Sequence, residues 1–173
     1  VGNDATISAA KNVNVSADAD DTAVTAVVAG AGGGKAGVAA AVSVKAIFSE
    51  TQAKVGEDVT ISAEKANLRA RDDTVVVGIA GGGAGGGDVG VGAALDTIIL
   101  GKTVKATIAD DVADGQRGQI TASQDVRVEA VSTEVLTSTS LGFAGGGKVG
   151  VGGAVSIGVA MNDVEARIGS GAR

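Results

Sequence analysis

Several segments of the chain alternate between large apolar residues and small residues with a period of two. In segment 149–161 the odd positions are mainly Val, Ile or Met, and the even positions are Gly, Ala or Ser. Segments 89–100 and 38–48 follow the same rule more loosely. Successive side chains of a strand point to opposite faces, so each segment predicts a strand with one bulky face and one bare face. A helix is disfavoured because Gly and β-branched residues are poor helix formers.

More polar segments separate these strands. Residues 5–9 and 13–17 alternate apolar and polar side chains, as half-buried strands do. Clusters of Asp and Thr at 18–22 and 71–74 predict turns. By contrast, the apolar stretches 22–49, 74–101 and 135–161 carry very few charges, which are Lys35, Lys45, Asp88, Asp96 and Lys148.

The same blocks recur three times in the same order. Residues 1–9 return almost unchanged as residues 55–63. The Gly clusters 32–35, 85–88 and 145–148 follow in their respective units. An insertion around 110–118 lengthens the third unit and predicts a loop. The predicted units are 1–54, 55–107 and 108–167, with 168–173 beginning a fourth.

Composition limits the kind of core that these strands can form. The 173 residues include 29 Gly and two Phe, with no Trp, Tyr, Pro, Cys or His. A core of Val, Ala, Ile and Leu is thin and regular, as in stacked layers. We therefore predict an all-β fold, a parallel β-solenoid or right-handed β-helix, as one continuous segment over 1–173. Each unit of about 55 residues has room for two or three coils. The alternative geometry makes each Gly cluster the tip of an antiparallel hairpin, such as 22–29 with 36–48.

Charge and residue types argue against several classes of function. A net charge of −6 disfavours nucleic acid binding. The sequence contains no uninterrupted apolar run typical of a membrane helix, so we expect no membrane insertion. Without His or Cys the commonest general bases and nucleophiles are missing. Charges also recur at equivalent positions of the units, as on a solvated face, so we predict no enzyme and no catalytic, cofactor-binding or metal-binding residue.

Four motifs have a functional and a structural interpretation. Gly85–Gly90 fits a dinucleotide-binding pattern and Gly142–Lys148 nearly fits a P-loop, but neither precedes a predicted helix, which favours repeat turns. Segment 136–141 is rich in Thr, yet the Thr spacing is not kept in the other units. Two Asp clusters have calcium-like chemistry, although solvated turns are the preferred interpretation. They are Asp18, Asp20 and Asp21, and Asp110, Asp111 and Asp114.

The bare faces of the strands are the candidate contact surface. Gly and Ala allow another backbone to approach closely. We expect the small residues on these faces to form a close-packing or lateral interface, covered by a neighbouring sheet, a hairpin or another chain. Its residues are Gly90, Gly92, Ala94, Gly150, Gly152, Ala154, Gly158 and Ala160.

Three segments carry a resemblance to a known family. They are Ala-Gly-Gly-Gly-Lys-Val-Gly-Val-Gly-Gly-Ala-Val-Ser-Ile at 144–157, Val-Glu-Ala-Arg-Ile-Gly at 164–169 and Asp-Val-Thr-Ile-Ser-Ala at 58–63. They resemble repeats of leukotoxin-type filamentous adhesins of Gram-negative anaerobes. The resemblance implies a filamentous-haemagglutinin-like β-helix, secreted across an outer membrane and displayed at the bacterial surface. It implies no binding residue here.

Three functions compete on these observations. The first is a passive shaft segment of a secreted or surface-displayed adhesin, whose partners are neighbouring repeats of the same chain. The second is a self-associating filament or extracellular matrix module with lateral contacts between copies. The third is a carbohydrate-active β-helix, which would require a groove lined by clustered carboxylates.

Overall fold

The computed structural model of the chain describes residues 1–2, 4–56, 58–108 and 119–169. The predicted loop at 110–118, with Asp110, Asp111 and Asp114, lies outside these ranges. Within them the chain is almost entirely strand and contains no helix. The strands are β1 (Thr6–Ser8), β2 (Asn12–Gly33), β3 (Ala36–Val55), β4 (Thr60–Gly86), β5 (Val89–Ile108), β6 (Gln119–Gly146) and β7 (Val149–Ile168).

The strands form two sheets in which every neighbouring pair is parallel. The first sheet contains β1, β2, β4 and β6, and the second contains β3, β5 and β7. The register joins equivalent positions of consecutive sequence units, as in the pairs Ala36 with Val89 and Val89 with Val149. The all-β prediction with parallel strands is therefore confirmed.

Each sequence unit supplies one long strand to each sheet. β2 and β3 have 22 and 20 residues, so the unit does not contain two or three shorter coils. The alternative hairpin geometry is also wrong. Segments 22–29 and 36–48 belong to different sheets, so they are not hydrogen-bonded as a hairpin. The Gly clusters instead carry the chain from the first sheet to the second.

The turns predicted at 18–22 and 71–74 are absent. Both segments continue as strand inside β2 and β4. In the second segment, Arg71 pairs with Asp73 at 2.5 Å and Lys102 pairs with Asp72. Pairing with the neighbouring strand has overridden the local turn preference of these residues.

The two ends of the strands are built differently. At the end remote from the Gly turns, a hydrophobic core fills the space between the sheets. Its members include Val13 of β2, Val55 of β3, Leu68 of β4 and Val104 of β5. We call this end the basal half. The distal half, next to the Gly turns, comprises residues 22–48, 75–101 and 135–161.

Next to the Gly turns, the distal half reverses the usual arrangement of large and small side chains, whereas farther from the turns Val76, Ile98 and Leu100 are fully buried. Small residues such as Gly37 and Ala41 are buried between the sheets, whereas Val28, Val38 and Phe48 point outward and are 79%, 69% and 72% exposed. Large apolar side chains are ordinarily among the most buried. In the part of the chain that the structure describes, no helix has the length and apolar character needed to span a membrane.

Candidate functional site

The small residues at the even positions of β5 lie between the two sheets. Gly90, Gly92 and Ala94 are all buried. A Cβ atom built on Gly92 would overlap the carbonyl oxygen of Phe143 and lie 2.9 Å from that of Gly82. A Cβ on Gly90 would likewise lie 3.1 Å from the Ala84 oxygen. These positions leave no room for a side chain, so β5 packs directly on the backbone of the first sheet.

The contacts of β5 also show how the sheets are staggered. Gly82 belongs to β4, in the same sequence unit as Gly92, whereas Phe143 belongs to β6 of the next unit. Gly37 of β3 repeats this relationship, with Ala31 of β2 and Gly85 of β4 on either side. A strand of the second sheet therefore lies over the groove between two strands of the first, and each unit interlocks with the next.

The equivalent residues of β7 are less covered. Gly150 and Gly152 face the first sheet, where an added Cβ would lie 2.9 Å from the Ala144 oxygen and 2.7 Å from the Gly142 oxygen. Gly158 has nothing within 4 Å of an added Cβ. Ala154 and Ala160 are exposed. β7 is the outermost described strand of its sheet, so fewer described neighbours cover its inward face.

Two buried ion pairs lie between the sheets beyond the small-residue contact. In the first, Lys45 Nζ lies 2.6 Å from Asp96 Oδ1, and the two side chains are 7% and 0% exposed. Lys45 also donates to Ser43 Oγ at 2.7 Å, and Ser138 Oγ donates to the other Asp96 oxygen. The group joins β3, β5 and β6, which belong to three different sequence units.

The second ion pair joins Asp72 of β4 to Lys102 of β5, and both side chains are fully buried. Ser49 and Thr51 each donate to Asp72 Oδ2 at 3.0 Å, and Thr74 donates to Oδ1 at 3.1 Å. Lys102 Nζ also donates to the Asp72 carbonyl oxygen at 3.2 Å. Every oxygen of this buried carboxylate therefore has a donor, which offsets part of the cost of removing it from water.

These contacts shift the pKa of both buried carboxyl groups. Burial is the largest influence and raises the pKa of Asp72, but hydrogen bonds from Lys102, Thr51 and Ser49 outweigh it and hold the pKa below its ordinary value. For Asp96 burial again raises the pKa, and hydrogen bonds from Lys45, Ser138 and Ser43 again lower it overall. Both groups are therefore carboxylates at neutral pH.

The ion pairs differ from unit to unit. Lys45 of β3 is paired in register with Ile98 of β5, and Ile98 is paired in register with Gly158 of β7. Asp96 occupies the position of Ser43 and Ser156. The sequence signal for Lys45 and Asp96 is a charged residue, in a nearly uncharged segment, at a position where the other residues are mostly small. Asp72 and Lys102 carry no such signal, because their segments hold many other charges.

The remaining candidate motifs are separated by the fold. Asp18 and Asp20 are exposed on the outer face of β2, whereas Asp21 points to the opposite face. Within the described ranges no group of three or more metal-binding side chains comes together. The Gly clusters at 85–90 and 142–148 link strands of the two sheets and are followed by β5 and β7, not by a helix. No known protein-family model, curated protein or solved structure matches this chain.

Proposed function

We propose that the chain is a structural shaft segment of a large secreted or surface-displayed bacterial filamentous adhesin of the leukotoxin type. Units 1–54, 55–107 and 108–167 stack in it as a parallel β-solenoid, with 168–173 beginning a fourth. The observation that carries the proposal is the register, which joins equivalent positions of consecutive units in both sheets. Its role is mechanical and involves no catalysis.

The register supports this role because stacked units contact their neighbours and extend by addition. Each unit adds one strand to each sheet, which lengthens the stack by about 4.8 Å. Strands of 20 to 28 residues are ~65–95 Å long at the usual rise per residue. The shaft is therefore a broad, flat ribbon, with far more side surface per unit length than a narrow β-helix.

The buried ion pairs support a fixed order of units. Lys45 of the first unit needs the carboxylate of Asp96 in the second, and the equivalent residues Ile98 and Gly158 cannot replace Lys45. A unit stacked out of order would leave a buried charge without a partner, which is strongly destabilising. The three similar units can thereby stack in one order only.

Surface display is tested on cells that produce the full protein. Antibodies raised against residues 1–173 should label intact cells, and antibodies against a cytoplasmic protein should label them only after permeabilisation. Electron microscopy of the purified segment should show flat particles whose long dimension matches the strand length. Labelling that requires permeabilisation would contradict surface display, and compact spherical particles would contradict the ribbon.

The self-associating module is retained as a second candidate function. The observation that favours it is the exposure of large apolar side chains on both outer faces of the distal half. The carbohydrate-active alternative gains no comparable support from the described residues.

A further inference from the structure

The outer face of the second sheet is apolar over the whole distal half. It consists of the outward residues of β3, β5 and β7, at even positions of 38–48 and odd positions of 91–101 and 151–161. We call it the outer apolar face. Among these described positions Thr97 is the one polar residue. Val42 and Val155 at its centre are 59% and 54% exposed.

Such a continuous apolar surface is typical of an interaction site. We propose that a second copy of this chain covers it, with the two outer apolar faces packed together and their strands antiparallel. A two-fold axis along the stacking direction, midway between the row of Val42 and Val155 and the row of Val44 and Ile157, produces this arrangement. The two distal halves then overlap completely, while the basal halves extend in opposite directions.

The first argument for this occupant is charge complementarity. Lys35 and Lys148 lie at the Gly turns, just beyond one end of the outer apolar face, and Asp88 lies between them and pairs with Lys148 at 3.0 Å. Glu50 and Asp163 lie in the first outward row beyond its other end. The proposed overlap places Lys35 of one copy within about one residue of Glu50 of the second copy. Lys148 approaches Asp163 in the same way, and these two side chains also pair with Asp88 and Lys105 of their own chain. Because the contact is symmetric, each of these pairs forms twice.

The second argument is complementarity of size. An open depression of about 630 Å³ lies at Gly101, between Phe48 and Met161, and the ring of Phe48 leans over Gly101 on one side of it. The same overlap places Val91 of the second copy over Gly101. It also places Ile99 over Ala93 of the second copy, so that large residues meet small ones. Interdigitation of this kind is required for a well-packed interface between sheets.

The area is sufficient for reversible association. Three strands spaced by about 4.8 Å and eleven to fifteen residues long cover ~500–700 Å² on each copy. Stable specific interfaces bury about 800 Å² per partner, so three units lie at the lower end of this range. In a longer array the area would grow with each added unit, and association would tighten through multivalency. The inference concerns this segment alone and does not depend on surface display.

The first experiment places charge at the centre of the outer apolar face. Val42→Glu with Val155→Glu should raise the dissociation constant of the dimer at least about tenfold, because four carboxylates would enter one apolar contact. Val28→Glu with Val135→Glu is the matched control on the outer face of the first sheet, where these residues are 79% and 51% exposed. Sedimentation velocity over about a hundredfold range of concentration measures the dissociation constant of each double variant.

The second experiment tests the antiparallel overlap. Lys35→Glu should weaken the dimer several-fold because it would face Glu50 of the second copy. Adding Glu50→Lys to the same chain should restore association, since the opposite charges meet again in reversed order. A parallel overlap would give no such restoration. Circular dichroism checks that each variant keeps the strand content of the parent.

The proposal is overturned if the segment stays monomeric throughout the concentration range. It is also overturned if the control pair weakens association as much as the Val42 and Val155 pair, or if Glu50→Lys does not restore the Lys35→Glu variant. Partition of the segment onto phosphatidylcholine vesicles without self-association would identify lipid as the occupant instead. None of these outcomes bears on antibody labelling of intact cells, which tests the shaft role separately.

Discussion

Replacing Gly92 with Ala is expected to destabilise the chain because the added methyl group has no space between the sheets. Its Cβ would overlap the carbonyl oxygen of Phe143 and lie 2.9 Å from that of Gly82. Both neighbours are backbone atoms held in their own hydrogen-bonded sheet, so neither can rotate away. The backbone of Gly92 is not in the left-handed region, and Ala can adopt its conformation.

The magnitude follows from two opposing contributions. Overpacking of a closed site costs about 1–3 kcal/mol. Replacement of Gly by Ala recovers about 0.4–1 kcal/mol, because the unfolded chain loses conformational freedom. The net loss is roughly 1–2 kcal/mol, and for a chain of this size each kcal/mol lowers Tm by about 2–4 °C.

Gly158→Ala is the matched control on the same inward parity. Nothing lies within 4 Å of its added Cβ, so the entropic contribution should act alone and stabilise the chain slightly. Urea unfolding followed by circular dichroism gives both free energies of unfolding. Equal effects of the two substitutions, or a neutral Gly92→Ala, would refute the close backbone contact between the sheets.

Two further predictions concern the buried ion pairs. Lys45→Ile alone should cost about 3–5 kcal/mol because it leaves the Asp96 carboxylate buried without its cation. Serine occupies the positions equivalent to Asp96, at 43 and 156, so adding Asp96→Ser should recover most of the lost free energy of unfolding, as measured by urea unfolding. Failure to recover it would mean that the ion pair does more than balance charge. The pKa values of Asp72 and Asp96 are lowered in the fold, so their stabilisation is complete above the unfolded pKa of about 3.9 and is lost as pH falls through the lower folded values. A urea midpoint that holds steady or rises below about pH 4 would contradict this sign.

Sequence alone determined the local character of the strands and the spacing of the units. The period-two alternation in 149–161 predicted a strand, and this segment lies within β7. The match of residues 1–9 with 55–63 anticipated the parallel pairing of Thr6 with Thr60. Both signals are local or repeated, so they can be read without knowledge of the rest of the fold. The Asp-rich segment 18–22 shows the limit, because its turn preference gave way to pairing with β4.

Tertiary structure decided which face of each strand is inward. Alternation gives two faces, but an isolated strand does not distinguish them, and ordinary burial would place Val38 inside and Gly37 outside. The opposing sheet reverses that choice next to the Gly turns, since its backbone comes too close for any side chain at Gly37. The partners of Lys45 and Asp72 likewise come from strands that are distant in sequence. Each strand is specified by its local sequence. These contacts form only when the two sheets pack face to face with one particular offset.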